Sequence, residues 1–143
     1  MLTPKDLMAK DVKYIQPDDF LKSAAEKMST FDIGAMPVVN NGEVVGMLTD
    51  RDIVTRAIAD GSNPETTYVK DAMTAEPITC YEDQELDEVT KLMKENQIRR
   101  LVVLNRDNQL TGIFSLGDLA TAAIDNRLSG DVLEAISKSA TKI

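Results

Sequence analysis

The sequence predicts a mixed α/β (α+β) chain made of two copies of one small strand–helix–strand–strand–helix (βαββα) unit. It repeats itself at a spacing of 65 to 66 residues, and each repeat contains two apolar runs joined by a tight-turn signal. The chain has 143 residues. A single repeat of about 65 residues would be only marginally stable alone, so we expect the two repeats to support each other.

The internal repeat sets the predicted domain limits. Met8 aligns with Met73 at a spacing of 65 residues, and after one inserted residue Gly46 aligns with Gly112 at a spacing of 66. The other matched pairs are Asp18 and Asp83, Leu21 and Leu86, Met28 and Met93, Ile33 and Ile98, Val38 and Val103, Asn40 and Asn105, Asp52 and Asp118, Thr55 and Thr121, Ala57 and Ala123, and Ile58 and Ile124. We therefore predict a first repeat at 1–62, a second at 63–127, and a short helix or tail at 128–143.

The insertion falls in a predicted hairpin turn. Asn41 and Gly42 separate two apolar runs in the first copy, which is typical of a type I′ turn with positive φ at both central residues. The second copy has a three-residue turn at 106–108, in which Asn108 can take the left-handed conformation. The loop length changed while the flanking strands did not.

The remaining elements follow from apolar periodicity and punctuation. We predict short strands at 13–15 and 78–80, and helices whose apolar stripes are led by Leu21 and Leu86. Asp18 or Asp19 and Asp83 are the predicted N-caps. Further helical segments are predicted at 6–8, 50–59, 69–73, 116–126 and 131–137.

Composition excludes several classes of function. The net charge of −8 disfavours wrapping nucleic acid, because phosphate contacts supply most of that affinity. The chain has no histidine and one cysteine, Cys80, which removes the common catalytic triads, an internal disulfide and nearly all zinc sites. No apolar run approaches the ~18 residues that span a bilayer, and the first 13 residues lack a signal-peptide pattern. We expect a cytoplasmic protein with no membrane or metal site.

One segment whose polar groups could bind a ligand occurs in both copies, at the junction of the last strand and last helix. Its shared pattern is Gly, two apolar residues, Thr49 or Ser115, two variable residues, and Asp52 or Asp118. The backbone N–H groups of a helix N-terminus attract anions, and a carboxylate can accept hydrogen bonds from a ribose diol. The alternative is a plain capping box with no ligand.

Other conspicuous residues have structural explanations. The methionines Met8, Met28, Met47, Met73 and Met93 are expected to fill cores, and Cys80 to be a buried strand residue. The acidic run at 82–88 is expected to be a solvated helix start.

These motifs together resemble a pair of cystathionine-β-synthase (CBS) domains, also called a Bateman module. The resemblance rests on the tandem repeat, the hairpins, the Met36-Pro37-Val38-Val39 strand and the two Gly…Thr/Ser…Asp segments, and it covers about residues 1–127. The second repeat also resembles stand-alone CBS-domain proteins of bacteria and archaea. The resemblance implies two units packed with pseudo-two-fold symmetry, usually paired as a homodimer. It also implies a non-catalytic module that binds AMP, ADP, ATP or S-adenosylmethionine in two clefts as a regulatory ligand, with no cofactor required.

The resemblance also implies roles for individual residues. Asp52 and Asp118 would hold ribose hydroxyls, and Thr49 and Ser115 would bond ribose or phosphate. The implied adenine pocket is formed by Tyr14, Ile15, Ala35, Met36, Pro37, Thr79, Cys80, Leu101 and Val102. Val102 in place of Pro37, and Gly117 in place of Arg51, are departures between the copies that leave open whether both clefts are filled.

Three arginines are candidates for phosphate contact, because a guanidinium binds phosphate bidentately: Arg51, Arg99 and Arg100. The alternative for each is a solvated or salt-bridged surface arginine.

For the chain as a whole, a second hypothesis is a ligand-free dimeric scaffold for an unidentified partner enzyme or transporter. An enzyme is disfavoured by the missing histidine, phosphate loop and metal cluster.

Overall fold

The structure is a computed structural model that describes residues 2–124. Its elements in chain order are helix α1 (Pro4–Leu7), helix α2 (Leu21–Phe31), strands β1 (Ala35–Asn40) and β2 (Glu43–Thr49), helix α3 (Asp50–Asp52) continued by π-helical turns (Ile53–Ile58), a 3₁₀ turn (Val69–Asp71), strands β3 (Thr74–Ala75) and β4 (Thr79–Tyr81), helix α4 (Leu86–Asn96), strands β5 (Arg100–Leu104) and β6 (Leu110–Ser115), and helix α5 (Leu116–Ile124). The predicted mixed α/β fold class is confirmed.

The chain forms two compact units whose strand pairings correspond once the isolated bridges at Ile15 and Ala9 are included. The first unit spans Val12–Pro77, and the second combines residues 2–11 with residues 78–124 of the described chain. Each unit contains one three-stranded sheet, in the orders β1-β2-β3 and β4-β5-β6. In the first unit Ile15 bridges Val38 in parallel, as β4 does with β5 in the second.

The predicted hairpins are confirmed. β1 and β2 are antiparallel, as are β5 and β6. Asn41 and Gly42 have φ of 51° and 82°, and Asn108 has φ of 60°. The first turn therefore has the positive φ values that a two-residue type I′ loop requires.

The segment that opens each repeat packs with the other repeat and not with its own. We call residues 2–11 the first leader and residues 64–77 the second leader. The first leader packs in the unit of the second repeat, where Ala9 bridges Ile113, and the second leader packs in the unit of the first repeat, where β3 pairs with β2. The predicted limits 1–62 and 63–127 divide the sequence repeats, whereas the compact units divide after Asp11 and Pro77.

Each unit has its own apolar core. The first core contains Ile15, Leu21, Ala24, Met28, Met36, Val38, Leu48, Ile53, Ala57, Val69 and Ala72. The second contains Met8, Cys80, Leu86, Val89, Met93, Leu101, Val103, Phe114 and Leu119. In α4 the predicted apolar stripe is thus buried, whereas in α2 it is buried at Leu21, Ala24 and Met28 but exposed at Phe31. Of the five methionines, Met47 and Met73 are only half-buried.

The predicted N-caps are wrong. The capping positions are Phe20 for α2 and Glu85 for α4, and neither has a side-chain cap. In α2 the first N–H groups instead donate to carbonyl oxygens of the second leader, from Leu21 to Thr67 at 2.9 Å and from Lys22 to Pro64 at 3.0 Å. This long-range capping leaves Asp18 to pair with Lys70 at 3.0 Å.

The two repeats differ in their last helix. In the first repeat the predicted helix 50–59 widens after Asp52 into π-helical turns, marked by the Ala59 N–H donating to the Val54 carbonyl at 2.9 Å. The corresponding α5 is a regular α-helix. The predicted helix at 131–137, the tail at 128–143 and the predicted helix end at 126 lie outside the described residues.

Candidate functional site

The first candidate site is the turn from β2 into α3, which we call the first corner (Thr49–Asp52). Thr49 pairs with Ala35 across the hairpin. The Asp52 N–H donates to the Thr49 hydroxyl oxygen at 3.1 Å, and the Thr49 N–H donates to Asp52 Oδ2 at 2.9 Å. These reciprocal bonds form a capping box, which fixes the hydroxyl and the carboxylate side by side.

The second corner (Ser115–Asp118) repeats this geometry in the other unit. Ser115 pairs with Arg100 across the β5–β6 hairpin. The Asp118 N–H donates to the Ser115 hydroxyl oxygen at 3.2 Å, and the Ser115 N–H donates to Asp118 Oδ2 at 2.8 Å. Both corners therefore contain the capping box that the sequence pattern indicated, a geometry that the ligand-binding and the ligand-free interpretations share.

Capping leaves hydrogen-bonding capacity at each corner. Each carboxylate uses Oδ2 for the cap, so Oδ1 is available to accept further bonds. Each hydroxyl oxygen accepts from the backbone, so its own hydrogen is available to donate. The Asp52 side chain is only 14% exposed. Each corner thus presents one acceptor and one donor.

Arg56 is a functional candidate that the sequence interpretation missed. Its Nε lies 3.7 Å from Asp52 Oδ1, an ion-pair distance too long for a hydrogen bond. Its Nη1 donates to the carbonyl of Met73 at 3.1 Å, with a longer contact of 3.4 Å to the carbonyl of Ala72. The signal available in the sequence was the spacing of four residues between Asp52 and Arg56, which places acid and base together on a helix.

The predicted adenine-pocket residues of the first repeat lie on the same sheet as the first corner. The Ile15 N–H donates to the Pro37 carbonyl at 3.1 Å, which brings the segment of Tyr14 and Ile15 alongside β1. Ile15 and Met36 are core side chains, and Pro37 is buried. Tyr14 is 49% exposed, and Lys27 Nζ donates to its carbonyl at 2.8 Å.

The second repeat places its predicted pocket residues in the same way. Thr79 pairs with Val102, and Cys80 pairs with Val103. The buried members of this set are Cys80, Leu101 and Val102. Because the Cys80 and Leu101 side chains belong to the second core, any contact that these two residues make with a ligand would come from the backbone.

The three predicted arginines are exposed and lie near the corners of their own units. Arg51 belongs to the first turn of α3. Arg100 pairs with Ser115 in the ladder, and the Leu116 N–H donates to the Arg99 carbonyl at 3.0 Å. The first corner therefore has its arginine on the helix, whereas the second has a pair at the start of β5.

Other chemistry is limited within the described residues. Burial raises the pKa of the Cys80 thiol to about 12, so the thiolate nucleophile is disfavoured at neutral pH. Over residues 2–124, no group of three acidic or cysteine side chains is arranged to hold a metal ion. In the same part of the chain, no helix has the length and apolarity needed to cross a bilayer.

Comparison with known proteins gives a consistent result. The CBS domain family model matches the chain twice, at residues 5–58 and 69–125. In Bacillus subtilis (strain 168), the protein YlbB is 43% identical over 136 residues, covering 94% of this chain and 90% of its own length. The CBS domain-containing protein YhcV from the same strain is 38% identical over 137 residues, covering 96% of each. These matches confirm the predicted resemblance to a tandem CBS pair.

Solved structures share the fold. The crystal structure of Hypoxic Response Protein I with two coordinated zinc ions has a TM-score of 0.75 at 31% identity, covering 84% of this chain and 98% of that one; the relative of that name is from Mycobacterium tuberculosis. CBSX2 in complex with AMP has a TM-score of 0.76 at 22% identity, covering 87% of this chain and 98% of that one. A CBS domain pair in complex with 5′-methylthioadenosine and S-adenosyl-L-methionine has a TM-score of 0.78 at 24% identity, covering 88% and 98%.

Proposed function

Because the chain belongs to the CBS domain family and carries two CBS domains in tandem, we propose that it is a non-catalytic regulatory module that binds an adenosine-containing ligand. The candidate ligands are AMP, ADP, ATP and S-adenosylmethionine. The observation that carries the proposal is the duplicated corner, in which a hydroxyl and a carboxylate are fixed side by side with one donor and one acceptor available.

The available groups match the polar parts of such a ligand. Oδ1 of Asp52 or Asp118 would accept hydrogen bonds from a ribose diol, at about 1.5–3 kcal/mol for a charge-assisted bond. The Thr49 or Ser115 hydroxyl would donate to a ribose or phosphate oxygen. Since both groups are already oriented by the cap, little conformational entropy is lost when the ligand binds.

The other residues of the proposed site would contact the phosphate and the adenine. Arg51 would approach phosphate at the first corner, and Arg99 and Arg100 at the second. Adenine would meet backbone groups of the strand ends. The residues proposed to contact adenine are Tyr14, Ile15, Ala35, Met36, Pro37, Thr79, Cys80, Leu101 and Val102. Two fold neighbours were crystallised with adenosine compounds, which supports this class of ligand.

Signalling requires that the ligand bind two arrangements of the protein with different affinity. We propose that the chain works as a cytoplasmic homodimer that acts on an unidentified regulated protein. The last helical segments carry apolar side chains suited to pairing, since Val54 is 59%, Ile58 52% and Ile124 82% exposed within one chain.

The test is ligand binding by variants that keep the cap. Asp52→Glu and Asp118→Glu preserve the capping box, for which Glu is a usual residue, but they displace the carboxylate. We expect isothermal titration of protein stripped of carried-over ligand to show binding of at least one of the four compounds by the wild type, and each variant to lose one site. A wild type that binds none of them would contradict the proposal.

The alternative is a ligand-free dimeric scaffold for a partner enzyme or transporter. The capping boxes favour it in one respect, because they explain without a ligand the pattern that both corners share. The scaffold hypothesis expects no binding in the titration and full retention of partner capture by Asp52→Glu and Asp118→Glu.

A further inference from the structure

The first corner is tied to the second leader through one side chain. The Arg56 guanidinium faces Asp52 Oδ1 with Nε and donates with Nη1 to the Met73 carbonyl. The same carboxylate holds the Thr49 N–H through its other oxygen. Arg56 therefore bridges the proposed ribose-binding acid and the backbone of the leader.

The second corner lacks this bridge among the described residues. Ala122 occupies the position that matches Arg56 in the repeat, and it is fully buried. Asp118 makes the same cap as Asp52. The helix that carries Arg56 also differs from α5 by its π-helical turns, a rare geometry that recurs at functional sites. The two repeats thus share a corner but differ in what the acid is connected to.

We propose that Arg56 is a positioning residue that couples ligand occupancy of the first corner to the second leader, and that the second corner has no equivalent coupling. This inference rests on the proposed function. A ligand hydroxyl bound to Asp52 Oδ1 shares that oxygen with the guanidinium, so the position of Arg56 and its bond to the Met73 carbonyl depend on occupancy.

The leader is suited to carry such a change along the chain. Its strand β3 pairs with β2, which ends at Thr49, and the Glu76 N–H donates to the Val45 carbonyl at 3.2 Å. The leader ends at Pro77, and the next residue, Ile78, opens the second unit. A shift at Met73 therefore acts on a segment that links the two repeats covalently.

The experiment uses the full chain and compares Arg56→Met with Arg56→Lys. Arg106→Met is the matched control, because it removes a similarly exposed arginine that pairs with Asp83 at 2.7 Å in the other unit. Amide hydrogen exchange of residues 72–76 is followed with and without AMP, and with S-adenosylmethionine in a parallel arm. Affinity at the first corner alone is measured in an Asp118→Glu background, and at the second corner alone in an Asp52→Glu background.

We expect Arg56→Met to weaken binding at the first corner roughly fivefold or more, a typical coupling, and to leave the second corner unchanged. Ligand should alter exchange at residues 72–76 in the wild type and in Arg106→Met but not in Arg56→Met. Arg56→Lys keeps the positive charge, so its affinity at the first corner and its exchange at residues 72–76 should lie between those of the wild type and Arg56→Met. A further outcome is that the wild type binds ligand while Arg56→Met shows the same affinity at the first corner and the same ligand-dependent exchange at residues 72–76. That result would overturn the coupling and leave the proposed function standing. If the wild type binds none of AMP, S-adenosylmethionine, ADP and ATP, the proposed function fails together with the coupling.

Discussion

Gly46 and Gly112 lie at matched positions in the two sheets, each beneath a methionine of a leader. An added Cβ at Gly46 would overlap the Met73 sulfur, and one at Gly112 would overlap the Met8 sulfur. These glycines open the corner motif in the sequence, where they suggested no specific role. The structure gives them one, which is to leave room for the leader to pack on the strand.

Replacing either glycine by alanine should destabilise the protein by overpacking, at about 1–3 kcal/mol. Gly112→Ala should cost more than Gly46→Ala, because its Cβ would also lie 2.7 Å from the Ala9 carbonyl oxygen, against 3.0 Å from that of Thr74. Urea unfolding measures both. Gly117→Ala is the control, since its nearest contact would be 3.4 Å and alanine favours the helix. Equal stability of Gly112→Ala and the wild type would contradict this packing.

The sequence pattern predicted the paired hydroxyl and carboxylate of the first corner but not the third side chain, Arg56. The spacing of Thr49 and Asp52 encodes the capping box directly, because both bonds lie within three residues. The bond from Arg56 to the Met73 carbonyl joins residues 17 positions apart. Local spacing could suggest its pairing with Asp52, but only the fold of the leader shows the second contact.

Elements whose geometry depends on neighbouring residues were predicted correctly. Elements whose hydrogen bonds are completed by backbone groups far away in the sequence were not. Asn41-Gly42 fixed the first hairpin, because its turn type depends on two residues alone. The start of α2 was misplaced, because its N–H groups are satisfied by carbonyls of Pro64 and Thr67 more than 40 residues away. The π-helical turns at Ile53–Ile58 had no sequence signal that separated them from an α-helix.

The Thr49 hydroxyl caps the start of α3 and should contribute to the stability of the protein. Thr49→Ala removes the oxygen that accepts from the Asp52 N–H, so we expect a loss of about 1 kcal/mol in the free energy of unfolding. Thr49→Ser keeps that oxygen and should retain most of the stability. Chemical denaturation of the three proteins measures the difference. A loss in Thr49→Ser as large as in Thr49→Ala would show that the methyl group, and not the cap, stabilises the corner.

Across the whole molecule, the order of the chain does not match the order of packing. The first leader opens the first repeat in sequence but pairs with β6 of the second, through backbone hydrogen bonds of 3.1 Å in both directions between Ala9 and Ile113. The second leader likewise belongs to the first repeat's unit although it introduces the second. The second unit therefore depends on a segment that lies on the far side of the first unit in the chain, whereas the first unit is one continuous stretch.

Because each leader packs in the unit of the other repeat, its methionine should stabilise that unit. Met8→Ala should loosen the β5–β6 hairpin, and Met73→Ala the β1–β2 hairpin, although Met8 is closer in sequence to the first repeat. We expect a loss of about 2–5 kcal/mol for Met8→Ala, because Met8 is buried in the second core, and a smaller loss for the half-buried Met73. Native-state hydrogen exchange resolves the two hairpins, because local opening raises exchange only where protection is lost. Faster exchange in β1 and β2 after Met8→Ala, with β5 and β6 unchanged, would mean that the first leader packs on the repeat that follows it.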